Sequence, residues 1–251
     1  MKISGNTILV TGGTSGIGRA LAEALHDRGN RVIVAGRRQS LLDDVVATRP
    51  GIASLLLDVD DPASIAKLGK QLRQRFPDLN VLIANAGISR AENIADDSWT
   101  AANAEAIVHT NILGVLRVAA AALPLIKHRP DAALLATSSA LAFVPRADFP
   151  TYCASKAFLH SWLQSLRHQL RHYPVEVLEL SPPYVQTELT GAAQAIDPRA
   201  MPLQEYLDQL LRKLQAGDAP RGELLLDQDL PRRWAERDES FNSIFSTMNP
   251  S

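Results

Sequence analysis

The chain has 251 residues, 46% of them hydrophobic and 21% charged, a composition typical of a globular domain rather than a disordered or fibrous chain. Lys and Arg number 26 against 27 Asp and Glu, and this near-neutral balance argues against a basic nucleic-acid-binding protein. Cys153 is the only cysteine, so an intrachain disulfide is excluded.

The sequence predicts a single α/β domain spanning residues 1–251. Short apolar runs alternate with segments of helical periodicity, the pattern of a doubly wound, mostly parallel sheet with helices on both faces. The seven predicted strands lie near residues 7–10, 31–35, 54–57, 81–84, 133–137, 175–180 and 223–226. Two capping signals support the helices: Asp61 before Pro62 is a helix cap, and Ser40 with Asp43 is a candidate capping box.

A glycine-rich turn separates the first predicted strand from the first helical pattern. Gly12, Gly16 and Gly18 fall within the segment Thr11–Gly18. Glycines permit a tight turn and a close approach to the backbone, while the free N–H groups and positive dipole of a helix start attract a pyrophosphate. The segment therefore predicts a dinucleotide site, with a ligand-free strand-to-helix turn as the alternative.

This turn resembles the cofactor-binding turn of the short-chain dehydrogenase/reductase family, which has a Rossmann-type fold. Asp58 resembles the family's acidic residue for the adenine amino group, with a plain helix cap as the alternative. Asn85-Ala86-Gly87 resembles a family motif that braces the central sheet and lines the cofactor. Besides the three glycines, the resemblance implies cofactor contacts from Thr14, Ser15, Ile17, Asp58, Val59, Asn85, Ala86 and Gly87.

Two arginines, Arg37 and Arg38, follow the second predicted strand. An NAD-selective site usually places a carboxylate there for the ribose hydroxyls. A guanidinium can instead bind the 2′-phosphate of NADP through paired hydrogen bonds. We therefore expect NADPH to be preferred over NADH, with Arg37 as the first candidate for the 2′-phosphate contact and Arg38 as the second. The alternative is that both arginines are simply exposed on a solvated loop.

The candidate catalytic residues include Tyr152 and Lys156, which share one face of a helix because they lie four residues apart. A neighbouring ammonium favours the phenolate, so we expect Lys156 to lower the pKa of Tyr152. Together with Asn111 and Ser139, the pair resembles the family's catalytic set. The resemblance implies that Tyr152 exchanges a proton with the substrate oxygen, that Lys156 also holds the nicotinamide ribose, and that Ser139 hydrogen-bonds the reacting oxygen. It also implies that Asn111 supports a water-linked proton relay through Lys156. Ser138 is the alternative to Ser139, because only one of the two neighbouring hydroxyls can face the pocket if the backbone is extended.

The segment Ser181–Thr187 resembles the family's loop beside the nicotinamide, from which Pro182, Val185 and Thr187 are expected to contact the cofactor. Pro183 replaces the family's glycine, and a proline removes a backbone donor there. After the loop, residues 188–204 are proposed as a mobile substrate lid within the region 188–216. From Leu203 onward, apolar residues at helical spacing predict a helix that covers the core.

These features predict a short-chain oxidoreductase that transfers hydride between NADP(H) and a carbonyl or alcohol substrate. The alternatives are a non-catalytic NADP-binding redox sensor and an extended relative acting on nucleotide sugars, although only 64 residues follow Thr187 (251 − 187). The six histidines show no metal-ligand spacing, so no metal is expected. The family resemblance also implies a homodimer or homotetramer.

The location expected from sequence is the cytoplasm, without membrane insertion. The N-terminal residues lack the apolar stretch and cleavage site of a secretory signal. The longest unbroken apolar run lies between Arg117 and Lys127 and is well short of the roughly 20 residues that a membrane span needs.

Overall fold

A seven-stranded sheet forms the centre of the protein in the computed structural model, which describes residues 1–250. Every strand pairing is parallel, and the strand order is β3-β2-β1-β4-β5-β6-β7. The strands are β1 Thr7–Thr11, β2 Arg31–Gly36, β3 Ala53–Leu56, β4 Val81–Ala84, β5 Ala132–Thr137, β6 Val175–Ser181 and β7 Glu223–Leu225. The predicted doubly wound α/β fold is therefore confirmed, with each strand within a residue of its expected bounds.

Helices connect the strands and cover both faces of the sheet. They are α1 Gly16–His26, α2 Gln39–Thr48, α3 Pro62–Arg75, α4 Ala102–Ile107, α5 Val115–Ile126, α6 Pro150–Gln169, α7 Ala192–Ala195, α8 Leu203–Ala216, α9 Leu230–Arg233 and α10 Phe241–Met248. A π-helical segment, Val108–Gly114, joins α4 to α5. The predicted cap before α3 is confirmed, because the Asp61 carboxylate accepts from the N–H groups of Ala63 and Ser64.

Successive side chains along each strand point to opposite faces of the sheet, and this produces two buried layers. Leu9 of β1 belongs to the layer covered by α3, α5 and α6, whereas its neighbours Ile8 and Val10 belong to the layer covered by α1, α2 and α8. The helix predicted from Leu203 is α8, and it buries its apolar face in the second layer, as expected. Strands covered on both sides consist of nearly continuous apolar residues, because neither face meets water.

The helical run Ala102–Ile126 is, by length and composition, long and apolar enough to cross a membrane, with a mean hydropathy of 1.6. It is the one such run among residues 1–250. Its α5 part contributes Val115, Val118 and Ile126 to the core against the sheet. The apolar side chains of this helix are therefore accounted for by their packing in the core of the fold.

The strand order changes direction at β1 and β4, which lie side by side at the centre of the sheet. After β1 the chain builds β2 and β3 on one side, and then it returns to build β4 to β7 on the other. The crossover helices therefore separate at the carboxyl ends of these two strands. Such a crevice is where doubly wound sheets bind ligands.

Candidate active site

A cavity of about 410 Å³ opens at the carboxyl ends of β1 and β4. Most of the candidate cofactor-binding residues meet there, although they come from six separate segments of the chain. The cavity is lined by Gly12, Thr14, Ser15, Gly16, Ile17, Gly18, Arg37, Arg38, Val59, Asn85, Ala86, Gly87, Tyr152, Lys156, Pro182 and Thr187. The candidates Asp58, Asn111, Ser139 and Val185 lie outside this lining.

The glycine turn packs so closely that side chains would not fit. Gly12 adopts φ +66°, and a Cβ added to it would lie 2.8 Å from the Ala86 Cα. A Cβ on Gly18 would lie 2.3 Å from both the Asn85 amide nitrogen and the Gly12 carbonyl oxygen. Gly16 adopts φ +52° and faces Thr187 across the cavity. The glycines thus bring the turn against the loop after β4 and leave its backbone open to a ligand.

The start of α1 offers a site for an anion. Among the described residues, no side chain caps its first turn, and that turn contains no acidic residue. Arg38 donates to the Ser15 hydroxyl at 3.4 Å, while Arg37 is 55% exposed and lies 3.8 Å from the Asp60 carboxylate. Uncapped N–H groups at a helix start, with the Arg38 guanidinium beside them, suit an anion such as a phosphate group.

The first turns of α6 carry Tyr152 and Lys156. Pro150 occupies the start of the helix, and the Glu92 carboxylate accepts from the Thr151 N–H. Both Tyr152 and Lys156 are buried, and the Lys156 ammonium lies 5.5 Å from the centre of the Tyr152 ring. The ammonium donates to the Thr137 carbonyl oxygen at 2.7 Å, which ties α6 to the end of β5.

The pKa of Tyr152 differs from the expectation drawn from its neighbouring lysine. Burial raises the pKa of the Tyr152 phenol to about 12, with a smaller opposing effect from hydrogen bonding by the Ser139 hydroxyl. Burial also lowers the pKa of the Lys156 ammonium to about 8. The expected lowering of the Tyr152 pKa is therefore wrong for this structure, because the loss of hydration on burial is the largest effect on the phenol.

The two neighbouring serines point in different directions. Ser139 accepts from the Leu141 N–H at 3.1 Å and hydrogen-bonds toward the Tyr152 phenol. Ser138 instead donates to the Glu179 carboxylate at 2.6 Å and is completely buried. Ser138 borders the cavity, but its hydroxyl is taken up by Glu179, so Ser139 is the serine available to the phenol.

Asn111 lies in the π-helical segment and is completely buried. Its carboxamide accepts from the Ile88 N–H at 2.8 Å, and it donates to the Ile88 carbonyl oxygen at 2.9 Å and to the Ser155 hydroxyl at 3.0 Å. The side chain therefore fastens the loop after β4 to α6, next to Lys156. Both N–H donors of the Asn111 carboxamide are used by these contacts, whereas its oxygen accepts one hydrogen bond.

The other two candidates outside the cavity lining also have local partners. The Asp58 carboxylate accepts from the Asp60 N–H at 3.0 Å. Val185 is buried in the core, and its carbonyl oxygen accepts from the Gln194 side chain at 2.8 Å. Gln194 therefore uses one of the two acceptor positions of the Val185 carbonyl oxygen.

Several residues at this site were not identified from sequence. Ile88, Thr110, Glu188 and Leu189 also line the cavity. Ile88, Glu188 and Leu189 directly follow predicted motifs, so extending each motif by one or two residues would have found them. The contacts of Glu179 with Ser138 join distant parts of the chain, and no spacing pattern signals them.

Comparisons with known proteins agree with this architecture. The family model for short chain dehydrogenases matches residues 6–197. The uncharacterised oxidoreductase DltE of Bacillus subtilis strain 168 is 37% identical, over 86% of this chain and 87% of its own length. An uncharacterised oxidoreductase of Myxococcus xanthus is 33% identical, over 87% of each chain. Among solved structures, a short chain dehydrogenase of Burkholderia cenocepacia in complex with NADP is 26% identical to this chain. The match covers 98% of this chain and 99% of the other, with a TM-score of 0.82. With its matched fold and its glycine turn at the sheet crevice, this chain belongs to the short-chain dehydrogenase family of oxidoreductases.

Proposed function

We propose that this oxidoreductase transfers hydride between NADP(H) and a carbonyl or alcohol substrate, with Tyr152 as the acid/base. The observation that carries the proposal is the convergence of the glycine turn, the arginine pair and the Tyr152–Lys156 pair on one cavity. The similar Burkholderia cenocepacia dehydrogenase, whose structure contains NADP, supports the choice of cofactor. Arg37 and Arg38 support NADP over NAD, because no carboxylate follows β2 directly.

The chain's own residues would bind and orient the two reactants. NADPH supplies the hydride when it is bound. The start of α1 would bind the pyrophosphate, and Arg37 with Arg38 would bind the 2′-phosphate. Thr187 and Pro182, on the opposite wall of the cavity, would orient the nicotinamide end. Holding both reactants in this way would lower the entropic cost of bringing the reacting atoms together.

Proton transfer would take place at the Tyr152 hydroxyl. Because burial raises its pKa to about 12, the phenol is protonated at neutral pH and able to donate to a carbonyl oxygen. Ser139 would hydrogen-bond the same oxygen as negative charge develops there. Lys156, which is charged below its pKa of about 8, would stabilise the phenolate left after donation.

The test of this proposal is the variant Tyr152→Phe, assayed with NADPH and a panel of aldehydes and ketones. We expect turnover to be abolished while NADPH binding, followed by fluorescence, stays within about twofold, since only a hydroxyl is removed. The matched control is Tyr173→Phe, at a tyrosine remote from the cavity lining. Substantial turnover in Tyr152→Phe would contradict the acid/base role. NADPH binding by the wild type without turnover of any carbonyl would instead favour a redox sensor.

We also propose that residues 188–204 act as a lid over the substrate. The segment is closed at its base, where Gln186 donates to the Met201 carbonyl oxygen and Met201 donates to the Tyr184 carbonyl oxygen, each at 2.8 Å. Gln194 fastens the loop by donating to the Thr187 hydroxyl at 3.1 Å. We expect saturating NADPH and substrate to slow tryptic cleavage after the exposed Arg199; an unchanged cleavage rate would rule out the lid.

In solution we propose a cytoplasmic homodimer or homotetramer, with the helices around residues 104–123 and 152–171 as contacts. Val108 and Phe158 support this, because both carry large apolar side chains that are exposed in the single chain. A monomer by light scattering at micromolar concentration would contradict the assembly, and cell fractionation tests the location.

A further inference from the structure

A completely buried carboxylate, Glu179, lies on β6 directly behind the catalytic serine. It accepts from the Ser138 hydroxyl at 2.6 Å through one oxygen, and from the His160 ring at 2.8 Å through the other. The Ser138 hydroxyl is also 2.9 Å from the Ser181 hydroxyl. Burying a carboxylate in this way is costly unless partners satisfy it, so the arrangement calls for an explanation.

Two of the groups that donate to Glu179, Ser138 and His160, belong to the two segments that carry the proposed chemistry, whereas a third, the Ser181 hydroxyl at 3.3 Å, lies on its own strand. Ser138 immediately precedes Ser139 at the end of β5. His160 lies on α6, one helical turn beyond Lys156 and two beyond Tyr152. One carboxylate therefore links the backbone that carries Ser139 to the helix that carries the phenol.

The charges around Glu179 keep it ionised. Burial opposes ionisation, but the His160 and Ser138 hydrogen bonds and the Arg167 guanidinium at 3.7 Å together lower the pKa of the carboxyl group. Gln164 donates to the second His160 nitrogen at 2.7 Å, so the first nitrogen carries the proton that Glu179 accepts. A charged acceptor forms stronger and more directional hydrogen bonds than a neutral one.

A second buried carboxylate, Glu223 on β7, lies close to this network but not in contact with Ser138. Its two oxygens accept from Arg233 at 2.7 and 3.0 Å. Glu179, Glu223 and His160 have ligand atoms within 4.8 Å of one another, a spacing that a metal ion could use. Arg233 and Arg167 already supply the positive charge there, so the group is an ion-pair network.

We propose that Glu179 is a positioning residue that, through Ser138 and His160, holds the Ser139 hydroxyl at the distance and angle at which it and Tyr152 act on one substrate oxygen. This inference rests on the proposed oxidoreductase function. In it, Glu179 touches neither substrate nor cofactor. Its effect is on the geometry of the transition state, where a small misplacement of a reacting group reduces rate more than it reduces binding.

Ser138→Ala tests the link most directly, because it removes the hydroxyl and leaves the pairing of Glu179 with His160 and Arg167 intact. Glu179→Gln keeps the shape of the side chain and removes its charge. With NADPH and 4-nitrobenzaldehyde as the probe, we expect kcat to fall by about tenfold to a hundredfold in both variants, with the KM for NADPH unchanged. The matched control is Glu223→Gln, which disturbs a neighbouring buried ion pair without touching Ser138, and its kcat should stay near that of the wild type.

Amide hydrogen exchange provides a readout that requires no turnover. The Leu141 N–H donates to the Ser139 hydroxyl, and the Ser138 N–H donates to the Leu180 carbonyl oxygen at 2.7 Å. We expect exchange at residues 138–142 to become faster in Ser138→Ala and Glu179→Gln and to stay unchanged in Glu223→Gln. If both Ser138→Ala and Glu179→Gln had the kcat and the amide exchange rates of the wild type, the positioning role would be overturned. An inactive wild type would instead count against the proposed function, while the exchange result would still report on the link.

Discussion

Replacing Arg37 with alanine tests the choice of cofactor without knowledge of the substrate. The guanidinium is 55% exposed, and its nearest described carboxylate, Asp60, is 3.8 Å away, beyond hydrogen-bond distance. Thr110 donates to the same Asp60 oxygen at 2.9 Å, so that carboxylate keeps a partner after the substitution. Arg37 is therefore free to turn toward a phosphate, and its loss breaks no hydrogen bond of the Asp60 carboxylate.

The expected magnitude follows from this exposure. A hydrogen bond to a charged group contributes about 1.5 to 3 kcal/mol. Solvent around a half-exposed guanidinium screens the interaction, which places Arg37 at the lower end of that range. Since about 1.4 kcal/mol corresponds to a tenfold change in affinity, we expect Arg37→Ala to weaken NADPH binding about tenfold. NADH lacks the 2′-phosphate, so its affinity should be unchanged.

Parallel fluorescence titrations with NADPH and NADH at constant salt measure the difference. Arg212→Ala is the matched control, since Arg212 is an exposed arginine on α8 outside the cavity lining. Equal loss of NADPH and NADH affinity would refute the phosphate contact and indicate a general disturbance of the site. An unchanged preference for NADPH in the double variant with Arg38→Ala would refute the assignment of the arginine pair.

Three further predictions concern pH and packing. Carbonyl reduction should slow as pH rises through about 8, because Lys156 loses its charge there; initial rates from pH 6 to 10 measure this. Burial raises the pKa of Asp229 to about 6 from 3.8, so the ionised carboxylate destabilises the fold above that pH. The variant Asp229→Asn should therefore stabilise the fold by at most about 3 kcal/mol at pH 8 and should not stabilise it at pH 4, as measured by thermal unfolding. Gly18→Ala should destabilise the fold by about 1 to 3 kcal/mol and weaken NADPH binding, because the new methyl group would collide with Asn85; thermal unfolding and titration test both.

The sheet could be predicted from sequence because its strands satisfy one strong condition. Each strand is buried on both faces, so its residues are apolar throughout, and the helices between them show a different period. Helix caps were harder to predict from sequence than the strands. Asp61 caps α3, but the predicted Ser40–Asp43 capping box is wrong, because α2 begins one residue earlier, at Gln39, and has no side-chain cap. A short hydroxyl residue has several local partners available, and sequence does not rank them.

The candidate site could be located from motifs, but its energetics could not. Spacing correctly placed Tyr152 and Lys156 on one helical face, where the Lys156 ammonium lies 5.5 Å from the centre of the Tyr152 ring. It did not reveal how far both groups are removed from water, which decides the direction in which their pKa values move. Glu179 was missed for a related reason: a glutamate within a strand pattern looks like an exposed residue until the partners that bury it are known.

The pKa of Tyr152 determines which protonation state of the phenol is available to each direction of the proposed reaction. Oxidation of an alcohol requires the Tyr152 phenolate, and with a pKa of about 12 only about one molecule in 10⁵ carries it at pH 7. Reduction requires the protonated phenol, which is nearly fully populated. That phenol is still a far stronger acid than an alcohol, whose pKa is close to the ~16 of water, so proton donation to a developing alkoxide is favourable. At neutral pH, burial therefore keeps Tyr152 in the protonated form, which is the form that donates the proton in the proposed reduction step.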